Sequence, residues 1–271
     1  MKALEGKRWA LFILISLAVL CFSAPLFILD HSPHANSMDL DATLLSPGSE
    51  SARGTHWLGT DKFGRDFLSR VLLGGRISLG VGTIAVAISL LIGIPIGAAA
   101  GYLGGKWDAA LTWFMSVLWS IPTLLLVIAL TFILGKGTAQ VFIAVGLTMW
   151  VEVARVVRGQ ILSEKEKEYA QAAKVLGYSR WNILFTELLP NVLGPVAIIS
   201  ATNFASAILI ESGLSFLGIG TQPPAPSWGS MIKTYYPYLI SGKPFLALIP
   251  GVLIALSVIS LTALGQIRRT N

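Results

Sequence analysis

The sequence predicts an all-α, polytopic membrane protein with six transmembrane helices and one helix-turn-helix insert on the side of both termini. Three observations carry this. Of the 271 residues 54% are apolar and only 13% are Asp, Glu, Lys or Arg, whereas soluble domains carry roughly 25% charged residues. Mean hydropathy is +0.71. Six apolar stretches each approach the roughly 20 residues that a helix needs to cross a bilayer core of about 30 Å. Between the fourth and fifth stretches lies one long, charged segment, 159–191. A disulfide scaffold is excluded by the single cysteine, Cys21, and disorder by the apolar runs. The net charge of +6 follows from positive-inside topology without a nucleic-acid partner.

In order along the chain, residues 1–29 form an N-terminal anchor whose apolar span is 9–29. Lys2, Lys7 and Arg8 precede it, and Ser23-Ala24 imitates a cleavage site. Its apolar run is nonetheless long for a secretory h-region, which favours a retained span. Residues 30–76 form an extracytoplasmic linker and an interfacial helix. In that helix Asp61, Arg65, Asp66 and Arg70 alternate in sign at three- and four-residue spacing, pinned by Phe63, Phe67, Leu68, Val71 and Leu72. The five-span core occupies 77–267, with spans at 77–103, 111–134, 139–157, 192–210 and 245–267. A short tail, 268–271, follows. Six spans put both termini on one side, and that side holds the larger share of the 20 Lys and Arg, so the termini are expected in the cytoplasm.

Gly93, Gly97, Gly101 and Gly105 recur every fourth residue, a smooth stripe on which another helix can pack closely, first of all one of this chain. Few charges enter the spans: Glu152 and Arg155 near the inner end of the fourth, and Glu211 near the outer end of the fifth. A proton- or sodium-driven carrier would place carboxylates at mid-depth, and none is read there.

The charged insert is the most informative stretch. Ser163 and Glu166 form a capping box that should start a helix. Tyr169, Ala172, Ala173 and Leu176 share its face, Gly177 can end it in the left-handed conformation, and Ser179 can cap a second helix stopping near Pro190. A DNA-binding reading fails because the second helix offers one basic residue, Arg180. Trp181, Ile183, Leu184 and Phe185 instead call for a partner surface.

Three motifs carry a resemblance. Ala172-Ala173-x3-Gly177 with Leu189-Pro190 resembles the EAA loop of ABC importer permeases. His56-Trp-Leu-Gly59-Thr-Asp61-x2-Gly64-Arg65-Asp66-x2-Ser69-Arg70 is similar to the dipeptide, oligopeptide, glutathione and nickel importer permeases, in particular their C-type subunit. Glu211-Ser-Gly-Leu-Ser-Phe-Leu-Gly-Ile-Gly-x-Gln222-Pro223-Pro224-x-Pro-Ser-Trp228-Gly229 matches the same family independently, and the resemblance spans about 54–265. It departs from the family where Gln171 replaces the naming glutamate (Glu168 stands one turn earlier), at Glu187, and in the ending Gly265-Gln-Ile-Arg-Arg-Thr-Asn271.

The resemblance implies a permease that is not itself an enzyme and carries no cofactor. ATP and magnesium would sit on two cytoplasmic ATPase subunits, beside a homologous second permease and an extracytoplasmic substrate-binding protein, in a bacterial inner membrane. The residues agree, because no phosphate-binding G-x-x-x-x-G-K-[ST] is present: Gly105-Lys106 leads to Trp107, and Gly135-Lys136 to Gly137. Peptides are the first substrate class, with nickel, metallophores and glutathione as alternatives; a stand-alone carrier or channel is the reading of another class. His31, His34 and His56 near Asp30, Asp39 and Asp41 read as linker composition rather than a metal site. The proline-stiffened 222–229 segment reads as a re-entry that places Trp228 at interface depth, or as an outer gate or a contact for the binding protein.

Overall fold

A computed structural model describes the backbone of residues 2–28, 37–52, 54–135 and 137–266. Expectations resting on His31, His34 and the 268–271 tail lie outside these residues. The chain runs α1 (Lys2–Ile28), β1 (Ser49–Ser51), β2 (Gly54–His56), α2 (Phe67–Leu103), α3 (Gly105–Trp119), α4 (Thr123–Leu134), α5 (Thr138–Glu164), α6 (Glu168–Val175), α7 (Arg180–Asn182), α8 (Leu189–Leu217), α9 (Trp228–Tyr235) and α10 (Phe245–Gln266). The all-α, polytopic expectation holds. The antiparallel β1–β2 hairpin, with Ser49 opposite His56, is too short and polar to have been read from periodicity.

Four helical segments are each long and apolar enough to cross a membrane: α2, α5, the continuous Arg180–Leu217 rod, and Phe245–Gly265 of α10. The expected straight third span is instead two helices, α3 and α4, bent by 89° at a short break. Pro122 donates no backbone hydrogen bond and disfavours helical geometry at Ile121, so the helix stops and restarts there. Within α1 the described apolar stretch, Arg8–Ala24, is shorter than these spans. Prolines at 95, 195 and 250 lie inside the long helices, where neighbouring helices tolerate them.

The glycine stripe explains the central contact. A Cβ on Gly93 would lie 2.6 Å from Val153 Cβ and 2.7 Å from the Trp150 carbonyl. On Gly97 it would meet the Ala154 carbonyl, and on Gly101 it would stand 2.9 Å from Ile161 Cβ. The backbones of α2 and α5 thus meet over successive turns with no room for a side chain. Gly105 does not belong to this stripe: α2 ends at Leu103, and Gly105 opens α3. Asp108 near the start of α3 takes a bidentate pair from Arg158 of α5, at 2.5 and 2.7 Å.

The interfacial helix around 61–72 is not formed. Residues 59–66 are turns with a bridge between Thr60 and Asp66. Gly59 and Gly64 carry φ of +73° and +68°, a region side chains avoid, and a Cβ on Gly64 would strike the Asp39 carbonyl. Helix α2 begins only at Phe67, because Asp66 Oδ2 accepts from the Ser69 amide at 2.8 Å and caps it.

Candidate functional site

Two constructions at opposite ends of the long helices hold the predicted site residues. The first is the elbow between α5 and α8. Helix α5 runs through Ser163 to Glu164, so the supposed capping box starts nothing; the apolar run through Ile161 carries the helix past it. Glu164 instead accepts from Lys167 Nζ at 2.8 Å and Tyr169 OH at 2.7 Å. Burial, then the bond to the Glu164 carboxylate, pushes the Tyr169 phenol up to about 12. Helix α6 opens with Glu168, exposed in its first turn, where a carboxylate suits the helix dipole. Gln171, also exposed, donates from Nε2 to the Lys165 carbonyl at 2.8 Å.

Helix α6 closes with a Schellman arrangement. The Tyr178 amide bonds the Ala173 carbonyl, the Gly177 amide bonds the Lys174 carbonyl, both at 3.1 Å, and Gly177 has φ +82°. Ser179 Oγ then accepts from the Asn182 amide and caps α7. The second helix does not stop at Pro190. Residues Ile183–Leu188 form a π turn that runs on into α8. The wider turn and the first-turn position of Pro190 let the rod continue past a residue that donates nothing.

The packed face of the elbow differs from the expected one. Ala170, Ala173, Ile183, Leu184 and Leu188 are buried with Val157 and Ile161 of α5, Val192 and Val196 of α8, and Ala98 of α2. Ala172 and Leu176 point outward, while Leu189 is half-buried and Pro190 exposed. Of the four apolar residues expected to need a partner, Ile183 and Leu184 find one within the chain. Trp181 and Phe185 remain 64% and 60% exposed, stacked at 6.1 Å, and on the same elbow Val175 and Leu176 are exposed at 87% and 73%. This apolar knob stands on an elbow keyed to the ends of three long helices.

The second construction gathers the other two motifs. Asp61, fully buried, accepts from the Phe63 and Arg65 amides at 2.8 and 3.0 Å, from Arg65 Nε at 2.7 Å and from Tyr235 OH at 2.8 Å. Arg70 Nε stands 3.6 Å away. Burial and the Asp61 charge raise the Tyr235 phenol well above the usual tyrosine range. His56 uses both ring nitrogens, toward Ser51 Oγ at 2.8 Å and Asp66 Oδ1 at 3.0 Å, and so fastens the hairpin to the cap of α2. The signs read as an amphipathic surface are therefore a buried clasp.

Glu211 of α8, also fully buried, accepts from Ser215 Oγ at 2.6 Å and from Ser78 and Thr221 hydroxyls at 3.3 Å. Ser78 Oγ in turn accepts from the Trp228 amide at 3.2 Å. Trp228 is fully buried, and its indole N–H donates to the Val71 carbonyl at 2.9 Å. Gly229 lies so close to the Ser212 backbone that a Cβ would not fit. Gln222 donates to the Gly218 and Gly220 carbonyls, and Pro223 and Pro224, joined by a cis peptide, are exposed. Between clasp and proline turn lies a cavity of about 480 Å³ reached by Lys62, Arg65, Arg70 and Tyr235.

Glu152 was expected near the inner end of the fourth span. Helix α5 extends to Glu164, so Glu152 falls at the middle of this helix rather than near its end. It lines a cavity of about 290 Å³ beside the α3–α4 break.

The elbow on a bundle of spans defines a transport permease. Residues 93–268 match the family described as binding-protein-dependent transport system inner membrane component, and this chain belongs to that family. Its relatives lie among peptide-type permeases. It is 39% identical over 256 residues to the dipeptide transport system permease protein DppC of Bacillus subtilis (strain 168), covering 94% of this chain and 78% of that one. It is 40% identical to the oligopeptide transport system permease protein OppC of Haemophilus influenzae, covering 84% and 73%. With the glutathione transport system permease protein GsiD of Pectobacterium atrosepticum the identity is 36%, covering 94% and 82%. The fold is similar to a chain of the inward-facing MetNI methionine ABC transporter, with a TM-score of 0.59, 18% identity, and coverage of 74% of this chain and 96% of that one.

Proposed function

We propose that the chain is a permease subunit of an ATP-driven importer carrying peptides or related small solutes across a bacterial cytoplasmic membrane. In this reading it has six spans, counting α1 and the bent α3–α4 pair, with both termini in the cytoplasm. It works beside a homologous second permease, with the pore between them. Two cytoplasmic ATPases bind and hydrolyse ATP with magnesium, and an extracytoplasmic binding protein delivers the solute. Glutathione, nickel and metallophores remain the alternative cargoes.

The observation that carries the reading is the elbow. Val175, Leu176, Trp181 and Phe185 are exposed on the 159–191 insert, which in this reading stands in the cytoplasm, where an apolar patch marks a protein contact. The same segment is buried on its other face against α2, α5 and α8, so a push on the knob moves the spans. A stand-alone carrier has no use for such a knob, and this now discriminates better than the charge content of the spans. The experiment is co-purification and uptake. Tagged protein in mild detergent should bring down an ATPase, and Gly177→Asp should abolish uptake with membrane insertion intact. No atom lies within 4 Å of a Cβ at Gly177, so folding should bear the left-handed penalty of about 1–2 kcal/mol. Uptake that persists in this variant removes the docking assignment.

A further inference from the structure

The cavity beside the α3–α4 break is built unlike the rest of the membrane-spanning bundle. Its floor is the interruption between Trp119 and Thr123, its walls come from α5 and α8, and its lining includes Trp119, Ile121, Met149, Ser206 and Leu209. Glu152 is the one ionisable residue among those that line this mainly apolar cavity. The cavity's volume of about 290 Å³ lies just under the usual range of ligand cavities, roughly 300–1,000 Å³.

A carboxylate on a membrane-spanning helix is costly and is kept with a cation or for a task. Among the described residues no ion pair or hydrogen bond reaches the Glu152 carboxylate. Arg155, one turn along α5, is turned away: its guanidinium lies 4.2 Å from the Trp119 ring centroid and donates to Ser116 Oγ at 3.0 Å. Arg155, one turn away, is thus engaged elsewhere. The geometry matches a solute that brings its own positive charge on a small apolar body.

We propose that Glu152 is a solute subsite in the translocation path, whose carboxylate receives a protonated primary amine as the solute passes the α3–α4 break. This deepens the permease reading and rests on it. An aliphatic amine suits the site better than a metal ion, because one carboxylate among apolar walls supplies too few ligands for a divalent cation. The carboxylate exchanges the ammonium's lost hydration for a charge-assisted hydrogen bond, while Trp119 and the aliphatic walls cover the apolar remainder.

The test uses the complete importer, reconstituted in proteoliposomes with its binding protein and ATP. A radiolabelled dipeptide with a free N-terminus and its N-acetylated form are offered to wild type, Glu152→Gln and Glu152→Asp. The expected result is at least a tenfold fall in the maximal uptake rate of the free-amine dipeptide for Glu152→Gln, with its half-saturation unchanged because the binding protein sets it. Glu152→Asp should recover to within about threefold of wild type. Wild-type uptake of the two dipeptides at equal rates overturns the proposal, as does wild-type behaviour of Glu152→Gln. Equal impairment of Gln and Asp would assign Glu152 to packing. Loss of the second permease from purified Glu152→Gln would assign its charge to that subunit. If wild type itself shows no ATP-dependent uptake, the permease reading fails, and that result is distinct from all the others.

Discussion

Replacing Asp61 by Asn should be among the most damaging single-atom changes in the chain. Asp61 is fully buried, and four donors converge on its two oxygens: the Phe63 and Arg65 amides, Arg65 Nε and Tyr235 OH. Arg65 and Arg70 are themselves nearly buried, each side chain 8% exposed. In Asn, Oδ1 can keep the two amide bonds, but an NH2 group then confronts Arg65 Nε, donor against donor, and Tyr235 OH must turn its hydrogen away and accept instead. Two guanidinium groups lose the charge that offset their desolvation. Removing one member of such a buried set costs about 3–5 kcal/mol, and for a chain of this size that is a fall in Tm on the order of 10 °C. The assay is thermal unfolding of detergent-purified protein followed by size-exclusion chromatography. Glu50→Gln, the same chemical change on an exposed strand residue, is the control and should shift Tm by about 1 °C or less. If Asp61→Asn tracks that control, the clasp is not a buried ion network and the account of the 56–70 motif is wrong.

Other consequences can be measured in the same preparation. Gly97→Leu should separate α2 from α5, because even a Cβ meets the Ala154 carbonyl and lies 2.8 Å from Val157 Cβ; overpacking of about 1–3 kcal/mol or more should appear as lower monodisperse yield and Tm. Glu211→Gln keeps acceptors for Ser215 and Thr221 and should cost less than about 1 kcal/mol, whereas Glu211→Ala orphans buried hydroxyls at about 1–3 kcal/mol; equal Tm for the two variants would contradict the network. Burial, then the bond to Glu164, pushes the Tyr169 phenol up to about 12 from the free value of about 10. A raised folded value means that the stabilisation from its bond to Glu164 is complete below about pH 10 and is lost as pH climbs toward 12. The difference in tyrosinate absorbance between wild type and Tyr169→Phe should therefore titrate late, and an ordinary midpoint would refute the contact.

The long spans were legible because hydropathy over some 20 residues is a strong signal, and the elbow's turn because few residues besides glycine suit the position of Gly177. Hydropathy has no direction, however, so the apolar run 111–134 concealed the bend that Pro122 imposes. Nor does hydropathy say where a helix ends, and α5 runs to Glu164 with Glu152 at its middle. Spacing misled twice. Asp61, Arg65, Asp66 and Arg70 have helical intervals, but Gly59 and Gly64 mark turns, and the Asp66–Ser69 pair is the real cap. Ser163 and Glu166 look like a capping box, but Ile161 and Leu162 continue the α5 run into it. The clasp and the Glu211 network join residues more than a hundred positions apart, such as Ser78 with Glu211 and Asp61 with Tyr235. No local pattern carries that information.

The π turn has a mechanical consequence. Because it joins α7 to α8 without a break, Arg180–Leu217 is a single strut of 38 residues, ~55 Å long at 1.5 Å per residue. Its near end carries Trp181 and Phe185, and toward its far end Glu211 is bolted to Ser78 of α2 and, through it, to Trp228 of α9. A strut held at both ends passes an axial displacement along with little loss, so in the proposed importer opening at one face and closing at the other would be one stroke. Any slack must come from the widened turn at Ile183–Leu188, which makes that turn the stroke's stiffness setting.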